Sequence, residues 1–297
     1  MVATFTCAEN QGSKMNTKMI EYQLFTKCNL KCPYCYNYFD QTPAALETHI
    51  ADLKKISSLA DRKTCMVVNG GEPLLLKELA KLINSVEVQT NMLTYTNGAL
   101  PLKVYQKFVN EVRKDNLYFT VSIHYAELIR TNNINEEYKN NVKYLIQNLP
   151  NLKVNIVFTE DFADPQFVND LMALLRELKE AGLKYINVLL EDSLKDRPHH
   201  ALKLVTMPHF KQFFDDLKIF RYKHCMWNNA DDSVSCLQIW LRKECMSPRL
   251  PYKELSFLKY GSEFIVENNF DYVPKHVSDG KVTDFDAFIE EMRLALQ

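Results

Sequence analysis

The sequence predicts an α/β fold in which six parallel strands alternate with helices, and three observations support it. Short runs rich in Val, Ile, Tyr, Phe and Thr recur between residues 20 and 190, and these residue types favour strands. Longer amphipathic stretches separate the runs, and the alternation ends beyond residue 190. A helix between consecutive strands returns the chain to the same end of the sheet, so the strands should run parallel and form a site at their carboxyl ends.

Each predicted strand is a compact apolar run between polar segments. The strands cover 20–26, 64–69, 92–96, 117–124, 152–158 and 183–190. The stretches between them repeat apolar residues with a helical period. Asp164-Pro165 is typical of an N-cap followed by proline at the first helical position, and Gly182 is typical of the residue past a helix end. The predicted helices cover 43–60, 75–88, 101–115, 135–149 and 165–181.

The last third of the chain follows a different pattern. Helices are predicted at 208–220 and 285–296, on either side of a window that contains several cysteines. We therefore predict an α-rich C-terminal extension. The chain then divides into an N-terminal extension (1–18), a core (19–195) and a C-terminal extension (196–297) that contains Cys225, Cys236 and Cys245.

Composition excludes several classes of function. The formal net charge of -1 and the pI near 6.7 give no bulk attraction to nucleic acid or to anionic membranes. No stretch approaches the ~18 consecutive apolar residues of a membrane-spanning helix, and the first 18 residues lack the pattern of a signal peptide. We expect a cytosolic protein, in which cysteines serve as metal ligands or as buried apolar residues.

Three cysteines follow directly on the first predicted strand. Cys28, Cys32 and Cys35 lie within eight residues, and thiolates at this spacing are suited to three irons of an iron–sulfur cluster, leaving the fourth iron open. A structural zinc site is the alternative, but zinc requires four ligands, and the nearest histidine, His49, falls inside a predicted helix.

A second motif, Gly70-Gly71-Glu72-Pro73, follows the second predicted strand. Glycines permit positive φ and close approach of the backbone to a ligand, and Glu72 offers an acceptor for a cationic group such as an ammonium. The alternative is an ordinary turn between a strand and a helix. Two of the seven glycines of the chain are adjacent here, and their position beside the cysteine motif favours a binding site.

The two motifs, in this order and on these elements, resemble the radical S-adenosylmethionine (SAM) superfamily over residues 20–190. The resemblance implies a partial (β/α)6 TIM-like barrel of parallel strands. It also implies that Cys28, Cys32 and Cys35 hold a [4Fe–4S] cluster, and that the amino and carboxylate groups of SAM bind the open iron.

The resemblance extends to individual cofactor contacts. Tyr34 is similar to the aromatic residue that packs near the adenine, and the segment from Gly70 to Pro73 is similar to the one that receives the methionine ammonium. Ser122 resembles the polar residue that contacts the ribose or the methionine carboxylate. Asn97, in Thr96-Asn97-Gly98, ends the third strand as in the family, although Asn-Gly also favours a simple turn. The fifth strand lacks the family's glycine, so Val157 or Phe158 would make the adenine contact.

The resemblance implies a radical mechanism. Reduction of the cluster, by an electron donor such as flavodoxin or ferredoxin, cleaves SAM to a 5′-deoxyadenosyl radical that abstracts hydrogen from the substrate. Substrate residues would then face inward at the strand ends. His124 is the first catalytic candidate, because it closes the fourth strand. The alternative is a structural histidine in the wall of the sheet.

Three further cysteines lie close together in the tail. Cys225, Cys236 and Cys245 fall within 21 positions, where many relatives carry an auxiliary iron–sulfur cluster. The resemblance is partial here, because the spacing of the large auxiliary domain is absent. An auxiliary cluster with His224 or substrate as fourth ligand, buried structural cysteines, and a hydrogen-donating Cys225 that quenches a substrate radical all remain open.

Two substrate classes compete. Clustered tail cysteines favour a maturase that modifies a peptide or protein, whereas the length of the chain also suits a small-molecule or nucleotide enzyme. The hypothesis from another class is a non-catalytic iron–sulfur or zinc protein on the same fold. The intact Gly70-Gly71-Glu72-Pro73 segment argues against it, because a non-catalytic protein has little reason to retain these four residues.

Overall fold

A computed structural model describes residues 19–35, 44–60, 64–87, 90–190, 207–222, 254–260, 263–268, 275–278 and 281–296. Its strands, in chain order, are β1 (Met19–Gln23), β2 (Cys65–Asn69), β3 (Asn91–Thr96), β4 (Leu117–Ile123), β5 (Leu152–Phe158), β6 (Tyr185–Leu190), β7 (Arg221–Tyr222), β8 (Glu254–Tyr260), β9 (Glu263–Asn268), β10 (Val277–Ser278) and β11 (Lys281–Val282).

The helices follow the predicted alternation. They are α1 (Leu46–Ser57), α2 (Leu79–Asn84), α3 (Leu102–Glu111), α4 (Tyr125–Arg130), α5 (Glu136–Asn148), α6 (Pro165–Glu180), α7 (Pro208–Asp216) and α8 (Phe285–Leu296). Within the described ranges, no helix combines the length and the apolar character needed to cross a membrane.

All eleven strands belong to one sheet, with the order β10-β11-β9-β8-β1-β2-β3-β4-β5-β6-β7. Strands β1 to β6 lie side by side in chain order and pair in parallel, which confirms the predicted α/β fold. β7 and β8 continue the parallel sheet at its two sides, and β9 to β11 add antiparallel pairs.

Side chains alternate between the two faces of the sheet. One face packs beneath the helices as the main core, with residues such as Tyr22, Val68 and Ile123 fully buried. Residues from all six strands β1 to β6 line one cavity on the opposite face, which shows that this face is concave. A small apolar cluster of Cys65, Val67 and Leu93 lies on this second face.

The predicted helix-end signals are confirmed. The side chain of Asp164 accepts a hydrogen bond from the N–H of Gln166 at 2.9 Å, and Pro165 takes the first position of α6. Gly182 follows the end of α6 with φ of +108°, a conformation that favours glycine.

Three features differ from the sequence prediction. Strand β1 ends at Gln23, because the following backbone bonds to the loop after β2. The helix predicted at 75–88 is shorter, since a 3-10 turn at Pro73–Leu75 precedes α2. Helix α4, which begins directly after β4, was not predicted.

The C-terminal extension has both expected helices, but its described part also adds strands β7 to β11. The description as α-rich is therefore incomplete. Strand β8 pairs with β1 in parallel, with Ser256 opposite Glu21. The extension therefore supplies the strand that neighbours β1 on the side away from β2. The division into 1–18, 19–195 and 196–297 stays a prediction.

Candidate active site

A cavity of about 380 Å³ opens on the concave face, beside the carboxyl ends of the strands. It lies against the cysteine loop, which we define as residues 24–35. Its walls contain the described candidate residues from the sequence except Tyr34 and Phe158, namely Cys28, Cys32, Cys35, Gly70, Gly71, Glu72, Pro73, Asn97, Ser122, His124 and Val157. Phe158 is buried in the main core instead, and the adenine contact of Val157 stays a prediction.

The three thiols are positioned by the backbone of the loop and by one neighbouring amide. The sulfur of Cys28 accepts hydrogen bonds from the N–H of Leu30 at 3.4 Å and from the side-chain amide of Asn97 at 3.6 Å. The N–H of Cys35 donates to the carbonyl of Cys32 at 3.0 Å, which forms a turn. No three His, Cys, Asp or Glu side chains of the described ranges are placed to bind a metal ion, and the three thiols instead share the cavity wall.

The surroundings keep the thiols of Cys28 and Cys32 protonated unless a cation binds them. Burial raises the pKa of Cys28 to about 11 and that of Cys32 to about 12, and the nearby carboxylates of Glu72 and Glu127 respectively raise them further. Metal binding displaces the protons of coordinated cysteines, which are released to solvent, and the metal supplies the missing positive charge. The three thiols, one buried and two partly buried, therefore fit an iron-containing group.

The Gly70–Pro73 loop packs directly on the cysteine loop. The N–H of Gly71 donates to the carbonyl of Phe25 at 2.8 Å, and the N–H of Glu72 donates to that of Lys27 at 2.9 Å. A Cβ at Gly71 would overlap the carbonyl oxygens of the cysteine loop, and a Cβ at Gly70 would lie 2.8 Å from the Phe25 oxygen. Close backbone approach between two loops, and not positive φ, is therefore the reason for this glycine pair.

Glu72 joins the second loop to β3. Its side chain is fully buried, and it accepts hydrogen bonds from the N–H of Leu74 (3.2 Å), the hydroxyl of Thr96 (3.0 Å) and the N–H of Asn97 (2.8 Å). Burial raises its pKa to about 7, and the three bonds oppose the rise. The carboxylate thus fixes the position of the loop around the cavity, and its contact with an ammonium stays a prediction.

Asn97 connects three segments around the cavity. Its side-chain amide donates to Asn29 at 2.8 Å as well as to Cys28, and its side-chain oxygen accepts from the N–H of Ala99 at 2.9 Å. Gly98 follows with φ of +79°, so the predicted Asn-Gly turn is present. The structure therefore makes Asn97 a brace for the cysteine loop.

Tyr34 and His124 form a pair between the cysteine loop and the end of β4. The Tyr34 hydroxyl lies 3.1 Å from Nδ1 of His124, and the two rings stack with centroids 5.8 Å apart. Burial lowers the pKa of His124 to about 4, so the imidazole is neutral at neutral pH. Its catalytic role and the contact of Tyr34 with adenine stay predictions.

Sequence reasoning missed a buried carboxylate behind the cysteine loop. Glu127 on α4 accepts two hydrogen bonds from the guanidinium of Arg130, at 2.7 and 2.8 Å, and a longer one from the N–H of Lys31 at 3.4 Å. Only 1% of the Glu127 side chain is exposed. The available signal was an acidic residue followed three positions later by arginine, which predicts an ion pair once a helix is assigned.

It also missed polar side chains on the concave face. Glu21 on β1, Asn69 on β2 and Asn155 on β5 line the cavity. The side-chain amide of Asn69 donates to Glu21. The signal was an alternation of polar and apolar residues within a predicted strand, as in Lys153-Val154-Asn155-Ile156.

The tail candidates lie outside the described residues. They are His224, Cys225, Cys236 and Cys245. The proposed auxiliary cluster and the hydrogen-donor role of Cys225 therefore stay predictions.

Comparisons with known proteins identify relatives of this chain. The chain is 25% identical over 187 residues to a GTP 3′,8-cyclase of Clostridium botulinum (strain Okra / Type B1), an alignment that covers 57% of this chain and 55% of the cyclase. The chain thus matches about half the length of this curated relative.

Solved structures show a similar fold. Streptococcus suis SuiB bound to the precursor peptide SuiA has a TM-score of 0.57 at 14% identity, covering 84% of this chain and 58% of SuiB. SuiB bound to S-adenosylmethionine has a TM-score of 0.55 at 13% identity, covering 92% of this chain and 62% of SuiB. The family model described as the radical SAM superfamily matches residues 22–171, half of the 297-residue chain, and the chain therefore belongs to the radical SAM superfamily.

Proposed function

We propose that this radical SAM enzyme holds a [4Fe–4S] cluster on Cys28, Cys32 and Cys35 and modifies a peptide or protein substrate. One observation carries the proposal: the three thiols, the Gly70–Pro73 loop, Ser122 and His124 all line a single cavity at the carboxyl ends of parallel strands. This is the edge at which α/β folds place their active sites.

The residues around the cluster site hold the cysteine loop in position before any cofactor binds. Backbone bonds from Gly71 and Glu72 fix the start of the loop, and Asn97 fixes Cys28. When bound, the cluster and SAM together supply the one-electron chemistry that generates a radical able to abstract hydrogen from a substrate. The protein's contribution is to place the substrate C–H bond and to exclude water and other hydrogen donors.

The same walls offer partners for SAM. The Gly70–Pro73 loop lies on the cysteine-loop side of the cavity, and Ser122 lies on β4 with its side chain on the cavity wall. We propose that the loop receives the methionine ammonium and that Ser122 contacts the ribose or the carboxylate. Tyr34 would pack near the adenine, with His124 next to it as the candidate closest to the substrate.

The peptide assignment is supported by the likeness in fold to SuiB, whose solved structure contains a precursor peptide. The second candidate is a nucleotide substrate, supported by the similarity to a GTP 3′,8-cyclase. We favour the peptide because the fold similarity extends over 84% of the chain, whereas the cyclase alignment covers 57%.

An electron donor and an auxiliary cluster complete the proposal. An electron donor such as flavodoxin or ferredoxin would reduce the cluster. Cys225, Cys236 and Cys245 would hold an auxiliary iron–sulfur cluster, as the sequence predicts. Iron analysis of a variant that lacks Cys28, Cys32 and Cys35 tests the auxiliary site, because any cluster iron that remains must be held elsewhere.

Anaerobic reconstitution tests the main proposal. We expect ~4 irons per chain at the first site and release of 5′-deoxyadenosine on addition of reductant. Replacing Cys28, Cys32 or Cys35 by alanine should abolish the release. Cys65→Ala is the matched control, because Cys65 is a buried cysteine on the cavity-side apolar cluster and not in the loop. Equal release from the loop variants and the wild type would contradict the proposal.

A substrate comparison then separates the two candidates. The reconstituted wild type is incubated with SAM and reductant in the presence of GTP or of candidate peptides, and products are identified by mass spectrometry. A peptide product that has lost two hydrogen atoms, or that contains a new cross-link, would support the assignment as a peptide maturase. Conversion of GTP alone would overturn the peptide assignment while leaving the radical chemistry intact.

A further inference from the structure

The middle of β5 carries a buried amide with no partner in the protein. Asn155 is 4% exposed and lines the cavity. Its side-chain oxygen is buried without any hydrogen bond. Buried polar groups are almost always bonded, so this unbonded side-chain oxygen requires an explanation.

A structural explanation does not account for it. Asn97 and Asn141 are similarly buried, and the side-chain amide of each donates to oxygens of neighbouring segments. The side-chain oxygen of Asn141 is also unbonded, but its amide is held by the carbonyls of Gly98 and Leu100, whereas no hydrogen bond holds the Asn155 side chain. An unbonded buried amide costs about 1–3 kcal/mol. Because leucine has a similar size without that cost, packing alone would favour an apolar residue at position 155.

A second orphaned acceptor lies across the concave face. The side-chain oxygen of Asn69 on β2 is buried and has no hydrogen bond, while its amide donates to Glu21. That donation fixes the orientation of the Asn69 amide, so its free atom is an acceptor. Both Asn69 and Asn155 line the same cavity, which therefore contains unused hydrogen-bonding capacity on two of its walls.

The position of Asn155 separates it from the cluster site. The cysteine loop reaches the end of β4 through the contact of Tyr34 with His124, whereas Asn155 lies within β5, the next strand of the sheet. Asn155 lies two residues before Val157, so it is one full pleat farther from the carboxyl end of the strand. A molecule held at the cysteine loop would therefore leave the floor around Asn155 for a second ligand.

We propose that Asn155 forms a substrate subsite that recognises a carboxamide. An asparagine side chain offers one acceptor and an N–H donor side by side, which complements a group that pairs an N–H with a carbonyl. Peptides carry this group in their backbone and in amide side chains, and guanine carries it in its ring. The inference rests on the proposed function, because it assumes that the substrate enters this cavity.

Binding measurements on the anaerobically reconstituted enzyme with SAM test the subsite. The probes are N-acetylglycinamide for a peptide source and GTP for a nucleotide source, followed by saturation-transfer NMR. We expect at least one probe to bind the wild type and to bind Asn155→Leu about tenfold more weakly, as expected for one or two lost hydrogen bonds. Ile156→Val is the matched control, because Ile156 lies in the helix-facing core of the same strand.

Several results would overturn the inference. The first is that neither probe binds the wild type. The second is that Asn155→Leu binds the probes as tightly as the wild type does. The third is a tenfold loss of SAM affinity in Asn155→Leu, because that loss would assign Asn155 to the cofactor site. If Asn155→Leu does not fold, Asn155→Ala is measured in the same way with the same criteria. Probe binding requires no turnover, so a wild type that binds a probe but does not cleave SAM would contradict the proposed function and not the subsite.

Discussion

On the cysteine-loop side of the cavity, the polar groups of Glu72 and Asn97 are bonded to neighbouring segments, whereas on the β5 side Asn155 has no protein partner. Both sides are equally buried, with Asn97 5% exposed and Asn155 4% exposed. The difference therefore does not come from burial. It lies in whether the protein itself supplies the hydrogen bonds.

This contrast is informative about what each side binds. A group that must be held in one geometry requires a preorganised frame, with every supporting side chain fixed by its own bonds. Glu72 and Asn97 on the cysteine-loop side have that construction, although Asn69 at the end of β2 keeps an unbonded side-chain oxygen. The β5 side keeps unsatisfied amide atoms, which is expected where the missing partner is a ligand that comes and goes. The predictions below test the two constructions separately.

Gly71→Ala should have the largest effect, because the added Cβ would overlap the carbonyl oxygens of Thr26 and Lys27. Backbone atoms cannot move aside as a flexible side chain can, so we expect a loss of about 3 kcal/mol or more in unfolding free energy, at the upper end for overpacking. The cysteine loop should also shift, so iron incorporation should fall. Guanidinium unfolding and iron analysis measure the two effects.

Gly70→Ala is the graded control for this prediction. Its Cβ would meet a single oxygen, that of Phe25, at 2.8 Å, so both losses should be smaller. If Gly71→Ala retained wild-type stability and iron content, the cysteine-loop side would not be the rigid frame described above.

Glu72→Gln should remove a pH-dependent component of stability. Burial raises the pKa of Glu72 from 4.5 to about 7, so between these values the folded state binds a proton that the unfolded state has released. Stability should therefore fall as the pH rises through this window, with a slope of at most about 1.4 kcal/mol per pH unit from this group. Unfolding free energies of the two proteins at several pH values measure the slope.

All three hydrogen-bond partners of Glu72 donate to its carboxylate. In Glu72→Gln, the side-chain NH2 group would therefore face at least one of these donors. We expect an additional loss of about 1–3 kcal/mol above pH 7. Asp115→Asn is a control, because Asp115 is an exposed carboxylate between α3 and β4. A wild-type slope that persists unchanged in Glu72→Gln would show that Glu72 does not titrate in this range.

Much of the fold was predictable, because strands and helices alternate with clear periods and end signals. The parallel order of β1 to β6 follows from helical crossovers alone. Strands β8 and β9 were not predictable in the same way, because β8 forms against β1, more than two hundred residues earlier in the chain. Pairing at that separation leaves no local pattern in the sequence. Helix α4 was missed because six residues give too few turns for a periodic signal.

The candidate site was predictable where residue types are chemically restrictive. Three thiols at short spacing and a glycine pair each allow few explanations. The roles of Glu72 and Asn97 were not predictable. A side chain that accepts a hydrogen bond from a ligand and one that accepts it from a backbone N–H are the same residue type in the sequence. Only the distances to Leu74 and Ala99 distinguish the two.

The pair Asn97→Ala and Asn155→Ala compares the two sides with the same substitution. Asn97→Ala removes bonds to Asn29 and Ala99 at 2.8 and 2.9 Å, and we expect a loss of about 2 kcal/mol. Asn155→Ala removes no protein hydrogen bond, so its loss should reflect packing alone and stay below about 1 kcal/mol. Parallel guanidinium unfolding measures both. Equal losses would contradict the contrast between the sides.

Tyr34→Phe should have the smallest effect, and it tests the contact between the two sides. The change removes the 3.1 Å bond from the Tyr34 hydroxyl to His124 and the hydrogen bond between Tyr34 and the Cys32 thiol, but it retains the stacked rings, so we expect a loss of about 0.5–1 kcal/mol. The loss should be the same from about pH 6 to about pH 8, because burial lowers the pKa of His124 to about 4 and the imidazole stays neutral.

Unfolding free energies of the wild type and Tyr34→Phe across this pH range, with Tyr144→Phe as a control on the outer helix α5, measure the difference. A loss above about 2 kcal/mol would mean that β4 holds the cysteine loop as firmly as the Gly70–Pro73 loop does. A loss that varies with pH would mean that His124 changes charge near neutrality. A small, constant loss would leave Glu72, Asn97 and the glycine pair as the frame of the cluster site, with the β4 and β5 side free to accept a substrate.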